Sequence, residues 1–419
     1  MKFLVFLLGG CLLLTGCDLT STQAAKLVIL GSLTGVGQEI VESAFIPFTA
    51  ETGIEVVYEG TDAFTTVLPI RVAGGDVPDL AIFPQPGLMA TLAQEGSLTP
   101  LDEFLEPAAL EAAFGPEWVD LGRAGADRRV YGLWMRADPK SLVWYSPTAF
   151  AAAGYEIPQS WDELIALTET IAATGTPPWC IGMESGEATG WVGTDWVEDI
   201  LLRQAGPETY DRWVSHDIPF DAPPVQAALE TFGTIARDPR YVSGGAVGVL
   251  STPFGDAPAP LFSDPPGCYL HRQASFITDF LPESVVPGQD AQVFLLPGKT
   301  AEAPLLTGGL VIAMTNDTPA ARAAMEYLTT VVPHESWAAR GYISPHRQIE
   351  PEVYPNDGIR QMTSVLNQAE TIRFDGSDLM PAAVGTGTFW QGMVDYLSSG
   401  DAAAVLGTIE ESWPEGEQP

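Results

Sequence analysis

The feature that most constrains the fold of this sequence is an alternation of strand-like and helix-like segments that begins at Lys26. Residues 26–31, 54–58 and 79–83 are short apolar runs typical of buried parallel strands. Between them, residues 38–52 and 64–72 have the amphipathic spacing of helices. A βαβαβ order requires a parallel sheet with helices on both faces, so we predict an α/β fold whose ligands bind outside the carboxyl ends of the strands.

Later segments continue the same style. Residues 160–163 form a capping box that predicts a helix extending to about residue 172. The stretches 243–260 and 264–267 are rich in Pro and Gly, and we predict loops there. Residues 306–314 predict another strand, followed by a helix with Thr318 as its N-cap and Pro319 at its first position.

The first residues have the pattern of an export signal. An apolar run follows Lys2 but is shorter than the ~20 residues that span a bilayer. Leu14-Thr15-Gly16-Cys17 resembles the lipobox of bacterial lipoproteins, in which the Cys becomes the lipidated first residue; an ordinary signal peptide cut elsewhere is the alternative. We therefore expect an exported chain, held by a lipid anchor at Cys17 on the outer face of the cytoplasmic membrane, which is the periplasmic side in a Gram-negative cell.

The charge balance excludes one large class of partner. The chain of 419 residues has 54 Asp and Glu against 19 Lys and Arg, a formal charge of -35. Nucleic-acid-binding surfaces gain affinity by neutralising phosphates with basic side chains. DNA and RNA are therefore poor partners, whereas 46% hydrophobic residues are enough to build folded cores.

The cysteines favour a disulfide over a metal site. Cys11 lies in the signal segment and Cys17 would carry lipid, which leaves Cys180 and Cys268. Neither stands in a CxxC pattern or near a spaced His, so metal binding is not expected. In an oxidising compartment we expect these two residues to pair, with two buried thiols as the alternative.

The sequence lacks the common catalytic and cofactor motifs. HExxH, GxSxG and a GxGxxG after a strand are absent, and Gly298-Lys299-Thr300 lacks the leading Gly of a phosphate-binding loop because Val293 stands there. We predict no cofactor, no metal and no catalytic residue. Acidic pairs are too numerous to exclude a glycoside hydrolase by spacing, so one that uses Glu184 and Asp378 remains an alternative.

Several blocks, taken in order along the chain, carry a family resemblance. They are residues 31–34, 74–86, 140–145 and 379–390, with residues 189–199, 264–276 and 373–381 in further support. Together they resemble the carbohydrate-binding proteins of ABC importers, and most of all the α-glucoside branch of that family, which includes the maltodextrin-binding proteins.

The resemblance implies a monomeric binding protein with two α/β lobes, each a mostly parallel sheet flanked by helices, and a ligand in the cleft between them. It implies an α-glucoside disaccharide such as maltose, sucrose or trehalose, delivered to membrane permease subunits driven by a cytoplasmic ATPase, and no enzymatic activity. A binder of another solute, such as a polyol, is a further alternative. The predicted boundaries are 1–16 for the signal peptide, 17–24 for the lipidated tether, 25–137 with 305–348 for lobe one, and 138–304 with 349–419 for lobe two.

A sugar presents flat C–H faces and a ring of hydroxyl groups, so its site needs aromatic platforms and convergent polar groups. The resemblance implies stacking roles for Trp390 and Trp191, with a core role as the alternative, whereas Trp144 lies in a strand-like segment and is expected in the core. It also implies that Glu184 accepts sugar hydroxyls, with a helix cap or a surface position as the alternative.

The remaining predicted contacts follow from their positions. Four lie at the ends of predicted strands, two are glycines that would let the backbone approach the sugar, two follow Cys268, and two flank a Gly-Ser turn. They are Ser32, Thr34, Asp62 and Gln85, then Gly308 and Gly309, then His271 and Arg272, then Arg373 and Asp378. The alternatives are ordinary turn chemistry for the strand ends and glycines, and a mutual ion pair for Arg373 and Asp378.

Overall fold

The computed structural model describes residues 25–125, 127–298 and 303–414, so the predicted signal peptide, tether and lipidated Cys17 lie outside the described residues. The strands are β1 Lys26–Gly31, β2 Glu55–Gly60, β3 Leu80–Phe83, β4 Arg123–Ala124, β5 Arg129–Val130, β6 Gly132–Pro139, β7 Leu142–Tyr145, β8 His271–Arg272, β9 Gln292–Leu295, β10 Leu305–Met314 and β11 Ile372–Phe374. No described helix is long and apolar enough to cross a membrane.

The helices surround two larger sheets, and β4 and β5 form a separate two-stranded sheet. The helices are α1 Val36–Ala44, α2 Ile46–Thr52, α3 Phe64–Gly74, α4 Pro86–Gln94, α5 Pro107–Phe114, α6 Pro116–Leu121, α7 Pro147–Ala153, α8 Trp161–Ala172, α9 Trp191–Ala205, α10 Pro207–Val214, α11 Pro223–Ala236, α12 Gly245–Ser251, α13 Pro319–Leu328, α14 Val331–Ala339, α15 Asp357–Gln368, α16 Gly376–Leu379, α17 Trp390–Ser399 and α18 Ala402–Glu411. A π-helical segment, Ala383–Phe389, precedes α17.

The first sheet contains the predicted βαβαβ unit. Its order is β11-β10-β3-β1-β2, with β6 also paired to β10. Strand β1 pairs in parallel with β2 and β3, whereas β10 runs antiparallel to β3 and β6. Successive residues of a strand point to opposite faces: Leu80 and Ile82 enter the core beneath α1, α2 and α13, while Ala81 and Phe83 enter the core beneath α3 and α4. Both faces are therefore covered, as a parallel sheet requires.

Two local predictions are wrong and have clear causes. The single helix predicted over residues 38–52 is two helices, because Pro47 supplies no backbone N–H and α1 ends at Ala44. The predicted loop at 243–260 contains α12, whose glycines disfavour a helix but whose Val249 is fully buried in the core, so tertiary packing outweighs propensity. The predicted N-caps Ser160 and Thr318 are confirmed, since each accepts a backbone N–H of its helix.

The second sheet has the order β8-β7-β9, and β7 is antiparallel to both neighbours. The α/β fold is confirmed, but the expectation of a mostly parallel second sheet is wrong. Its strands come from distant parts of the sequence and are joined by long helical connections instead of repeated βαβ units. A large core with residues of α8, α9, α11, α17 and α18 packs beside it.

Strand β10 connects the two halves of the molecule, one built around the first sheet and the other around the second sheet. Leu305 and Leu306 enter cores around the second sheet, whereas Leu310 and Val311 enter the two cores of the first sheet. The predicted lobe boundaries remain a prediction. These boundaries place residues 349–419 in lobe two. Strand β11 lies in that range, but it pairs in parallel with the start of β10 in the first sheet.

Candidate ligand-binding site

The strand ends of the first sheet present four of the predicted contacts. Ser32 is half-buried, Thr34 and Asp62 are exposed, and Gln85 is buried at the N-cap position of α4. The Gln85 Oε1 atom is buried without a hydrogen-bond partner among the described residues. Because an unpaired buried acceptor is unfavourable, this atom is suited to a bound donor such as a hydroxyl group.

A charged and aromatic group lies at the end of β6. The Arg136 guanidinium stands 4.5 Å from the ring centroid of Tyr342 and 5.7 Å from that of Phe276. Its Nε donates to Asp138 Oδ2 at 2.9 Å, and Ser275 Oγ donates to Asp138 Oδ1 at 3.2 Å. Burial opposes the charge on Arg136, but Asp138 keeps the pKa of Arg136 above its usual value.

Trp191 joins this group from the other half of the molecule. It is the first residue of α9, and its Nε1 donates to Ser185 Oγ at 3.1 Å, which fixes the ring plane. The ring centroid lies 5.8 Å from that of Phe276, and Lys140 Nζ stands 5.9 Å from it. Trp191 is only half-buried, so part of its ring is accessible to a ligand.

Lys140 is held among buried carboxylates where β6 leads into β7. Its Nζ donates to Asp195 at 3.0 Å and to Asp375 at 2.5 Å, and Asp378 lies 3.7 Å away. Burial raises the pKa of Asp195 to about 7 against the attraction of Lys140. Burial would also raise the pKa of Asp375, but Lys140 outweighs it and holds that pKa at about 2. The ammonium therefore ties the connection between the sheets to α9 and α16.

Trp390 lies beside this group at the start of α17. Its indole is 6% exposed, and its Nε1 has no hydrogen-bond partner among the described residues. A Cβ added to Gly190 would stand 2.2 Å from the Trp390 carbonyl oxygen, so the residue preceding Trp191 packs directly on the backbone of Trp390. The two tryptophans predicted to stack on a ligand are thus brought close together by their backbones.

His271 and Arg272 are committed to partners within the protein. The His271 Nδ1 donates to the Cys180 carbonyl at 2.9 Å, and burial lowers the pKa of His271 to about 4. Arg272 is 1% exposed and donates twice to Asp199, at 3.1 and 2.9 Å, and once to Asp195. In this arrangement both side chains brace the second sheet beside the Cys180–Cys268 disulfide, which the structure confirms.

The two predicted glycines lie within β10 and not in a turn. A Cβ on Gly308 would stand 2.6 Å from Lys140 Cε, and one on Gly309 would stand 2.3 Å from the Arg136 carbonyl. The close approach that they allow is therefore to the protein's own Lys140 and β6. Glu184 is half-buried, and its Oε1 accepts the Gly186 N–H at 2.9 Å.

Arg373 does not join the group around Trp191. Its Nη2 donates to Asp211 at 2.8 Å, whereas Asp378 pairs with Lys140, so the mutual ion pair considered for Arg373 and Asp378 is absent.

Sequence reasoning missed Arg136, Asp138, Phe276 and Tyr342 as candidates. The available signal was a charged pair within the apolar stretch that forms β6, all of whose residues are buried. Burying a charge is costly unless a partner compensates it, so such a pair indicates a specific role.

The group around Trp191 offers aromatic faces next to the polar atoms of paired charges. Such a combination suits an uncharged polyhydroxy ligand, since the rings cover its C–H faces and the polar atoms bind hydroxyl groups. Within the described residues, no group of three or more His, Cys, Asp and Glu side chains is arranged to hold a metal ion.

Comparison with known families gives one match over most of the chain. Residues 31–332 match the family model described as bacterial extracellular solute-binding protein. The osmoprotective compounds-binding protein GgtB of Synechocystis sp. is 52% identical over 99% of this chain and 100% of its own length. The alpha-glucosides-binding periplasmic protein AglE of Rhizobium meliloti is 45% identical over 93% of this chain and 87% of its own length.

Solved structures support the fold. The bacterial solute receptor AcbH, described as preferring β-D-galactopyranose, superposes with a TM-score of 0.79 at 16% identity and covers 93% of this chain and 97% of its own. The solute-binding protein RafE in complex with raffinose gives a TM-score of 0.72 at 15% identity and covers 93% of this chain and 98% of its own. At these identities the likeness concerns the two-lobed fold alone.

Proposed function

The chain belongs to the bacterial extracellular solute-binding family, and from this membership we propose that it captures an uncharged α-glucoside or a similar osmoprotective polyhydroxy solute. Its relatives are substrate-binding proteins and not enzymes, which excludes the glycoside hydrolase considered from the sequence. The observation that carries the proposal is the contact of Trp191 with Phe276 beside the Arg136–Asp138 pair.

The charges of this group support an uncharged ligand. Arg136 pairs with Asp138, and Lys140 is surrounded by Asp195, Asp375 and Asp378, so each buried cation already has a carboxylate partner. A charged ligand would have to separate one of these buried pairs, which leaves an uncompensated charge and is strongly unfavourable. A neutral solute can instead accept from or donate to the outer atoms of the pairs without separating them.

The names of the relatives support the solute class. One is described as binding osmoprotective compounds and the other as binding alpha-glucosides. Sugars such as maltose, sucrose and trehalose fit both descriptions chemically, because each is an uncharged α-glucoside. Contacts from both halves of the molecule would stabilise the closed arrangement preferentially, which is how a ligand shifts a hinge equilibrium.

Delivery and anchoring are parts of the same proposal. The bound solute would pass to membrane permease subunits driven by a cytoplasmic ATPase, and the lipidated Cys17 would keep the chain at the membrane surface. Replacing Cys17 by Ser should release the exported chain into the soluble fraction. A variant that stays membrane-bound to the same extent would contradict the anchor.

Isothermal titration calorimetry with maltose, sucrose, trehalose and sorbitol tests the ligand class. We expect at least one of the three sugars to bind and sorbitol to bind more weakly. Binding of sorbitol alone would contradict the α-glucoside and favour another polyhydroxy solute, and binding of none of the four would contradict the proposal.

A variant tests the site. Trp191→Ala should weaken the binding of that sugar by about tenfold or more, since aromatic anchors in a site commonly contribute this much. Trp161→Ala is the matched control, because Trp161 and Trp191 are both half-buried first residues of helices that pack against the same large core. Trp191 differs in that its ring also lies near Phe276 and Lys140. Equal affinities of the two variants would remove Trp191 from the site.

A further inference from the structure

A separate cavity of about 590 Å³ lies between the two halves of the molecule. Its walls are α4, residues 121–125 with Arg128, α10 and the β11–α16 region. Of the predicted sugar contacts only Arg373 lines it, and Arg373 does not join the group around Trp191. The volume falls in the range of roughly 300 to 1,000 Å³ that is common for small-molecule sites.

Most of the lining of this cavity is apolar. Met89 and Ala90 of α4 form one wall, Phe374 and Leu379 come from the β11–α16 region, and Val214 comes from α10. The cavity is partly enclosed and not a flat surface. An occupant would therefore remove an apolar body from water, which is favourable in proportion to the area covered.

The polar part of the lining contains three guanidinium groups and one carboxylate, that of Asp211. Arg123, Arg128 and Arg373 reach the cavity, but Asp120 and Asp211 are the carboxylates paired with them. Asp120 is shared, since Arg128 Nη2 stands 2.7 Å from it and Arg123 Nε 3.8 Å. Arg123 Nη1 donates to the Arg128 carbonyl at 3.0 Å, and its nearest carboxylate, Asp120, is 3.8 Å from its Nε. Of the three guanidinium groups, Arg123 therefore has the weakest carboxylate pairing among the described residues.

We propose that this cavity is a second binding site, for a small organic anion that carries one acidic group on an apolar body. A carboxylate, sulfonate or phosphate monoester would pair with Arg123, because a guanidinium donates two hydrogen bonds to such groups. The apolar body would lie against Met89, Phe374 and Leu379. This ligand class differs from the uncharged solute proposed for the group around Trp191, so the two sites do not compete.

The anionic fluorophore 8-anilinonaphthalene-1-sulfonate is a suitable probe, with neutral N-phenyl-1-naphthylamine as its uncharged counterpart. We expect the sulfonate to bind with one dominant site and the neutral compound to bind at least about tenfold more weakly. Arg123→Gln should raise the Kd of the sulfonate about tenfold. Arg240→Gln is the matched control, since Arg240 is exposed and pairs locally with Asp238, and it should leave the Kd unchanged.

A second variant protects the test against a folding defect. Ala90 is a half-buried residue of α4 that lines the cavity, so Ala90→Phe places a ring inside it. This variant should abolish sulfonate binding and keep the sugar affinity of the wild type. Equal Kd values for Arg123→Gln and Arg240→Gln, or full sulfonate binding by Ala90→Phe, would overturn the proposal. Because sugar binding is measured on the same samples, failure here is distinguishable from failure of the proposed function.

Discussion

His334 shows how burial fixes the protonation state of a single residue. Its Nε2 lies 3.1 Å from the Leu328 carbonyl and donates to it, so Nδ1 accepts from Ser344 Oγ at 2.8 Å. The ring also packs edge-on against Phe114 and Trp337. Burial, helped by the neighbouring His346, lowers the pKa of His334 to about 3, so the imidazole is neutral in the folded protein.

This shift predicts a contribution of His334 to acid sensitivity. The unfolded imidazole takes up a proton near pH 6.5 and the folded one only near pH 3, so the stabilising contribution is present above pH 6.5 and is lost as the pH falls. Between roughly pH 6 and pH 4, wild type should lose up to about 1.4 kcal/mol per pH unit relative to His334→Gln. Urea denaturation over this range measures the difference, and parallel pH profiles would contradict it.

At the same scale, the sequence pattern marks some residues of the proposed site and gives little sign of others. Trp191 and Gln85 could be found because a glycine-rich loop and a strand end mark them. Arg136 and Asp138 are marked only by their charges, since the rest of β6 has the pattern of a core strand. Arg272 was expected to reach a ligand, but its distant partner Asp199 is visible only in three dimensions.

Gly309 lets β10 approach β6 closely. A Cβ at Gly309 would stand 2.3 Å from the Arg136 carbonyl and 3.1 Å from the Trp134 ring, and neither atom belongs to a flexible chain end. Gly309→Ala should therefore reduce the free energy of unfolding by about 1–3 kcal/mol. Gly407→Ala in α18 is the control, because nothing lies within 4 Å of a Cβ added there. This variant should raise the free energy of unfolding by up to about 1 kcal/mol. Chemical denaturation of both variants measures these free energies of unfolding. Equal values for the two variants would contradict the steric argument.

Among the elements, the first sheet was predictable and the second was not. Strands β1 and β3 are continuous apolar runs next to helices with clear spacing, so local pattern and tertiary structure agree. Strand β8 has two residues and β7 and β9 have four each, too few to show a period. Their pairing follows from contacts between residues far apart in the sequence.

For the whole molecule, the disulfide between Cys180 and Cys268 is the strongest single constraint on the unfolded chain. The two residues are 88 positions apart, and their Cα atoms are 5.7 Å apart. Closing such a loop should stabilise the fold by roughly 4–5 kcal/mol. The double variant Cys180→Ala, Cys268→Ala should therefore melt several degrees lower by calorimetry, and reducing agent should not lower its melting temperature further. A thiol titration checks the pairing in native protein that lacks residues 1–17 and therefore lacks Cys11 and Cys17. Two free thiols would contradict the disulfide.

The position of β10 in the first sheet has a consequence for how the chain must fold as it is made. Strands β1, β2 and β3 are complete by residue 83, but β10 begins only at Leu305 and β11 ends at Phe374. Until then one edge of β3 lacks its neighbour, and an uncovered strand edge favours pairing with other chains. The amino-terminal sheet therefore closes only when most of the polypeptide has been synthesised, which leaves a long window in which an unfolded chain can still be threaded through a secretion channel.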